Sequence, residues 1–242
     1  MMKKEVDVIV LDDWEKTARY AAESIASEIN CKKKFNLGLA SGETMIPVYK
    51  ELVKLYREKR VNFANVETFN LDEYPNVKKE DSFEYFLEKH FLDKVNLKKE
   101  NQHFLQEKNL GDYEKLIKKA GGIDLCILGI GRNGHIAFNE PGSGFKSRTR
   151  KIKLREETRR VNKKFFKSLK ETPKEALTVG VGTILDARKV LLVAFGSEKS
   201  QAICESLNAR ARLQWPASAL QLHPNVKFVL DKQAGSKLRE LR

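Results

Sequence analysis

Short apolar runs bounded by glycine and polar clusters alternate along this chain with stretches whose apolar residues recur every three or four positions. The first kind fits buried strands of a parallel sheet and the second fits amphipathic helices, so their alternation predicts an α/β fold. The predicted strands are Val6 to Leu11, Phe35 to Ala40, Val66 to Leu71, Ile123 to Leu128, Ala176 to Val181, Val190 to Phe195 and Val226 to Leu230. Trp14, Ala18, Ala21, Ala22, Ile25, Ala26 and Ile29 lie on one face of the first helix, with Asp12 and Glu15 as a candidate capping box. Further helices are predicted with Pro47 near the first turn, over Ser82 to Val95, and after the Gly196 to Lys199 turn through Leu207.

The longest departure from this rhythm follows the strand ending at Leu128. Gly129, Gly131, Gly134, Gly142 and Gly144, with Pro141, mark a long loop that carries Asn133, His135, Asn139 and Glu140. These residue types move protons and hold hydroxyl groups, and a loop past the carboxyl end of a parallel strand is where open α/β sheets bind ligands. Gly129 to Gly134 also spells G-x-G-x-x-G. A dinucleotide site needs a helix to start at the third glycine and an acidic residue about 20 positions on. Here Pro141-Gly142 soon stops any helix, and Lys151 to Arg155 offers no strand ending in a carboxylate.

Composition narrows the partners. The 242 residues suffice for one sizeable α/β core. The 46 basic and 33 acidic residues leave a net charge of +13, which favours anionic partners such as phosphorylated metabolites or nucleic acid. Ten of the bases fall between Lys146 and Lys164, without interleaved aromatics until Phe165-Phe166, which weakens a stacking platform for single strands. Lys32-Lys33-Lys34 reads as a solvated turn. Cys31, Cys126 and Cys204 have no CxxC spacing, so neither a disulfide framework nor a zinc site is expected, and Cys126 reads as a core residue. No apolar h-region follows Met1-Met2-Lys3-Lys4, and no apolar run approaches the ~20 residues of a membrane span, so a cytoplasmic protein without membrane contact is expected.

The run GIGRNGHIAFNEPGS resembles the signature of the glucosamine-6-phosphate deaminases, in the superfamily that also holds 6-phosphogluconolactonase. The lactonases share its start but resemble it poorly after the histidine, so Asn139-Glu140-Pro141-Gly142 favours the deaminase branch. FNLDEY, ALTVGVGTILDA and Ser218 to Pro224 are similar to further family motifs, so the resemblance spans nearly the whole chain. It implies a single three-layer Rossmann-like domain over 1–242, with a mostly parallel central sheet and a mobile basic lid over roughly 146–172.

The resemblance also implies chemistry: glucosamine 6-phosphate and water become fructose 6-phosphate and ammonia. Asp72 matches the family's general base, His135 the ring-opening acid–base, and Glu140 the carboxylate that orients it. Asn133 stands where many members have Asp; an amide orients but accepts no proton. Ser41, Gly42 and Thr44 match the phosphate loop, Lys199 the phosphate-binding lysine, and Lys164 a phosphate-binding arginine of the lid. Glu43 departs from the loop pattern at a small-residue position, where a carboxylate disfavours phosphate. No cofactor is implied, and Asp72, His135 and Glu140 lack the spacing of a sequence-local metal motif.

Galactosamine 6-phosphate deaminase, 6-phosphogluconolactonase, and a non-catalytic protein binding sugar phosphate or nucleic acid are the competing readings. Some family members are hexamers activated by an N-acetylated sugar phosphate at basic residues just after the run matching Ser147 to Arg150. Ile152 stands where those members carry lysine, and the chain stops soon after Asp231, so a monomer or small homo-oligomer without an activator is expected.

Overall fold

A computed structural model describes residues 6–208 and 210–241. In chain order the elements are β1 (Asp7–Leu11), α1 (Trp14–Asn30), β2 (Phe35–Leu39), α2 (Met45–Arg57), β3 (Val66–Asn70), β4 (Asp72–Glu73), α3 (Phe83–His90), β5 (Gln102–His103) and α4 (Tyr113–Lys119). They continue with β6 (Leu125–Leu128), β7 (Arg150–Lys153), α5 (Glu156–Asn162), β8 (Glu175–Thr178), α6 (Val181–Leu185), β9 (Lys189–Ala194), α7 (Ser200–Asn208) and β10 (Val226–Asp231).

Seven strands form one sheet in the order β1-β10-β9-β6-β2-β3-β5, and every pair in it is parallel. The chain enters at one edge with β1, crosses to β2 and runs outward through β3 and β5. It then returns to β6 beside β2 and runs outward again through β9 and β10. The order therefore reverses between β2 and β6, which opens a crevice at their carboxyl ends. All of β2 and β6 is buried, as their predominantly apolar sequences require of central parallel strands.

Asp13, not Asp12, caps α1: its side chain accepts from the Lys16 N–H at 2.7 Å. Asp12 instead pairs with Lys16 and Lys232. Trp14, placed by periodicity on the buried face, is the first helical residue and is 49% exposed. The helix predicted through Val95 ends at His90, and a 3₁₀ turn over Leu92–Lys94 carries Phe91 and Leu92 into the core. The basic turn is not wholly solvated. Lys32 meets the buried Asp124 at 2.6 Å, and Asp124 also accepts from the Asn36 N–H and from Arg188.

The predicted strand over Ala176 to Val181 belongs elsewhere. β8 pairs antiparallel with β4 and β7 in a separate three-stranded sheet. Part of the stretch read as a lid is thus the strand β7, whereas α5 and the 3₁₀ turn over Lys163–Phe165 lie beside the crevice. Phe166 packs edge-on against Tyr74, and Asn162 donates to the Tyr74 hydroxyl at 2.8 Å, so this segment rests on an aromatic cluster that includes Phe138 and Phe83. The basic run is largely committed internally. Arg148 meets Asp186, Lys151 meets Glu107, Arg160 meets Glu156, and Arg159 donates to the carbonyls of Leu169, Thr172 and Pro173. Among the described residues no helix is long and apolar enough to cross a membrane.

Candidate active site

The crevice encloses about 380 Å³. Ser41, Gly42, Thr44, Asp72, Asn133, His135, Lys164 and Lys199 all line it. Glu140, predicted with them, stands one residue further back, behind Asn133. A second cavity, of about 310 Å³ at the amino ends of β1, β9 and β10, contains His223, whose ring is already bonded to the Ala187 carbonyl and the Asn225 N–H.

Asp72 is fixed by its backbone. β4 pairs it with Thr178, while Leu71 bridges the Leu39 carbonyl and the Val179 N–H. Ser41 Oγ donates to Oδ1 at 2.9 Å; Oδ2 has no donor among the described residues. Burial pushes this carboxyl up to about 7; the Ser41 hydrogen bond opposes the shift and neighbouring Glu73 adds to it. Glu73 turns the other way and accepts the N–H groups of Tyr74, Phe83 and Glu84, each at 2.8 Å, capping α3.

The glycine loop positions the histidine. Gly131 donates its N–H to the His135 carbonyl, and a Cβ on Gly131 would lie 2.2 Å from the imidazole Cε1, so only glycine leaves the ring its place. Gly134 takes a φ of 78° against Trp215, and Ala137 a φ of 47°, a left-handed conformation that costs a non-glycine residue. Asn139, fully buried, donates to the carbonyls of Ile136 and Val179 and accepts from Arg150, which locks the far side of the loop.

His135 and Glu140 do not bond directly. Asn133 Nδ2 donates to Glu140 Oε2 at 2.9 Å, and His135 Nδ1 lies 2.7 Å from Asn133 Oδ1. A carboxylate only accepts, so the amide nitrogen faces Glu140, its oxygen faces the imidazole, and Nδ1 carries the proton. Nε2 is left as the acceptor. Burial pushes the imidazole below the ordinary histidine range, with Lys199 adding to the shift and Glu140 opposing it.

At the other end of the crevice, the N–H groups of Gly42, Glu43 and Thr44 have no acceptor among the described residues. Gly42, with a φ of 106°, shapes this turn at the start of α2. Free N–H groups at a helix N-terminus suit an anion. Lys199 lies nearby in a 3₁₀ turn after β9, held below its ordinary value by burial and by the charges of Arg132 and Lys164. Arg132 and Glu198 also line the crevice, and the sequence does not single them out: there they are only charged neighbours of Asn133 and Lys199. Glu43 makes an ion pair with Lys164 across the mouth. Among the described residues no group of three or more His, Cys, Asp and Glu side chains could hold a metal ion.

Free N–H groups at a helix start, a raised carboxyl and an imidazole with an open Nε2 share one crevice, an arrangement suited to proton transfers beside an anion. Residues 13–229 match the family described as glucosamine-6-phosphate isomerases/6-phosphogluconolactonase, and the chain belongs to that family. It is 41% identical over 239 residues to a glucosamine-6-phosphate deaminase of Clostridium botulinum, covering 96% of each chain. It is 42% identical to the one of Thermoanaerobacter pseudethanolicus, covering 95% of this chain and 94% of that one. A solved monomeric glucosamine-6-phosphate deaminase superposes with a TM-score of 0.92 at 36% identity, over 96% of this chain and 99% of that one. A 6-phosphogluconolactonase from Thermotoga maritima superposes with a TM-score of 0.75 at 21% identity, over 94% of this chain and all of that one, a likeness of fold.

Proposed function

We propose that this protein converts glucosamine 6-phosphate and water to fructose 6-phosphate and ammonia, as a single-domain enzyme acting in the cytoplasm as a monomer or small homo-oligomer. The observation that carries the reading is the pairing, in one crevice, of Asp72 held near neutrality with an imidazole whose free Nε2 is fixed by the Asn133–Glu140 relay.

The phosphate is held by the N–H groups of Gly42, Glu43 and Thr44 and by Lys199. His135 Nε2 takes the anomeric hydroxyl proton and returns it to the ring oxygen, which opens the sugar. The imidazolium that forms in between keeps its Nδ1–H donated to Asn133 Oδ1, while the Asn133 amide donates to Glu140. Asp72 Oδ2 then removes the C2 proton and delivers it to C1. An aldehyde with an ammonium at C2 becomes a C1 alcohol with an iminium at C2, one ammonium proton passing to O1; water adds at C2 and the nitrogen leaves as ammonium. A base near neutrality both takes and gives a proton at working pH. Ser41 orients the carboxylate through Oδ1.

The test supplies glucosamine 6-phosphate, galactosamine 6-phosphate and 6-phosphogluconolactone in turn. Release of fructose 6-phosphate from the first alone supports the reading. Hydrolysis of the lactone without release of ammonia overturns it.

A further inference from the structure

Glu43 is a carboxylate on the very turn that offers its N–H groups to an anion, and Lys164 is a cation on the segment that leans over the crevice from the other side. The two are 121 positions apart in the chain, yet they form an ion pair that joins the opposite walls of the mouth. Both charges are felt at Lys199, the buried-side cation of the same pocket. Lys164 Nζ also sits 5.2 Å above the Phe165 ring, a second contact at the mouth for a side chain that remains half exposed.

We propose that Glu43 is a specificity-setting residue, an internal anion that holds Lys164 until a phosphorylated ligand displaces it. On the deaminase reading above, that ligand group is the substrate's 6-phosphate. The two side chains are 48% and 56% exposed, and an ion pair between such groups is worth little in water. A phosphate carries up to two charges and also gains the unpaired N–H groups of the turn, so it wins the exchange. The released carboxylate swings into solvent with the phosphate beside its backbone. Every anion that enters must displace Glu43, so weakly charged anions and neutral sugars gain nothing from Lys164. The same contact keeps the segment after α5 against the mouth before ligand arrives, which spares part of the ordering cost of closure.

Calorimetric titration with inorganic phosphate, on the wild type and on Glu43→Gln, Lys164→Met and the double variant, tests this without any need for turnover. Glu43→Gln is expected to bind inorganic phosphate about three- to tenfold more tightly, the range expected for losing a weak exposed competitor and its repulsion. In the Lys164→Met background the same substitution is expected to gain less than about twofold, since no cation remains to be released. Steady-state assays should show the difference in KM far more than in kcat. Equal affinity for phosphate in the wild type and Glu43→Gln overturns the proposal. So does a gain that persists in full without Lys164, because Glu43 would then act by repulsion alone. Absence of turnover on glucosamine 6-phosphate by the wild type would defeat the deaminase reading while leaving the phosphate titration to judge Glu43.

Discussion

His135 and Glu140 face each other at 4.0 Å between Nδ1 and Oε2, with the Asn133 amide bonded to both. The carboxylate therefore acts on the imidazole through an amide dipole, which transmits orientation and polarisation but carries no proton. Asn133→Ala removes the bridge and frees the tautomer, and kcat should fall at least about tenfold with KM nearly unchanged. Asn133→Asp places a second acid between Nδ1 and Glu140. It should raise the histidine's affinity for a proton, and NMR titration of the His135 ring reads this directly.

The pH dependence follows from Asp72. The base works ionised, and its carboxyl is raised to about 7, so kcat/KM should climb through a limb near that pH. Asp72→Asn should lower kcat by at least about a hundredfold. The same shift carries a sign for stability. A carboxyl raised in the folded state favours folding at low pH, and the contribution is lost as pH rises from 3.8 through about 7. Asp72→Asn should thus stabilise the fold above pH 7, by up to roughly 4 kcal/mol at about 1.36 kcal/mol per unit, and raise its melting temperature there. A lower melting temperature for this variant at pH 8 would show that Asp72 is stabilised as the anion.

The main sheet is largely legible in the amino-acid sequence. Predominantly apolar runs such as Phe35 to Ala40 and Ile123 to Leu128, without polar alternation, announce central parallel strands because both faces are buried. The second sheet is not legible. β4 is two residues long and β8 carries no period-two pattern that marks it as antiparallel, so the strand containing Ala176 reads as part of the main sheet. The site residues are visible as motifs, but the intervening position of Asn133 is not. A side chain seven positions from Glu140 meets it only because Gly134 and Ala137 adopt left-handed conformations. Glu43 is visible as an anomaly; its partner lies 121 residues away and only folding supplies it.

Gly131 offers a check on the loop alone. Gly131→Ala puts a methyl where the His135 ring stands, so kcat should fall at least about tenfold while far-UV circular dichroism stays that of the wild type. Retained activity would show that the ring has room to move.

Lys199 tests the anion end of the crevice. Lys199→Ala should chiefly raise KM, because the phosphate is remote from the reacting carbons. An unchanged KM would place the phosphate elsewhere.

Regulation is expected to be simple. Ile152 packs with Tyr74, Phe138 and Leu154 and supplies no charge, and Arg150 is engaged by Asn139 and Ser143. Substrate curves should be hyperbolic with or without N-acetylglucosamine 6-phosphate, since coupling needs a second site with two states to bias. A sigmoidal curve that this compound straightens would refute the expectation.

The most direct measurement follows glucosamine 6-phosphate by proton NMR with the wild type and with Asp72→Asn. The wild type should release fructose 6-phosphate and ammonium in equal amounts, and Asp72→Asn should do so at least about a hundredfold more slowly. No fructose 6-phosphate from the wild type, or equal rates for the two proteins, would contradict the account.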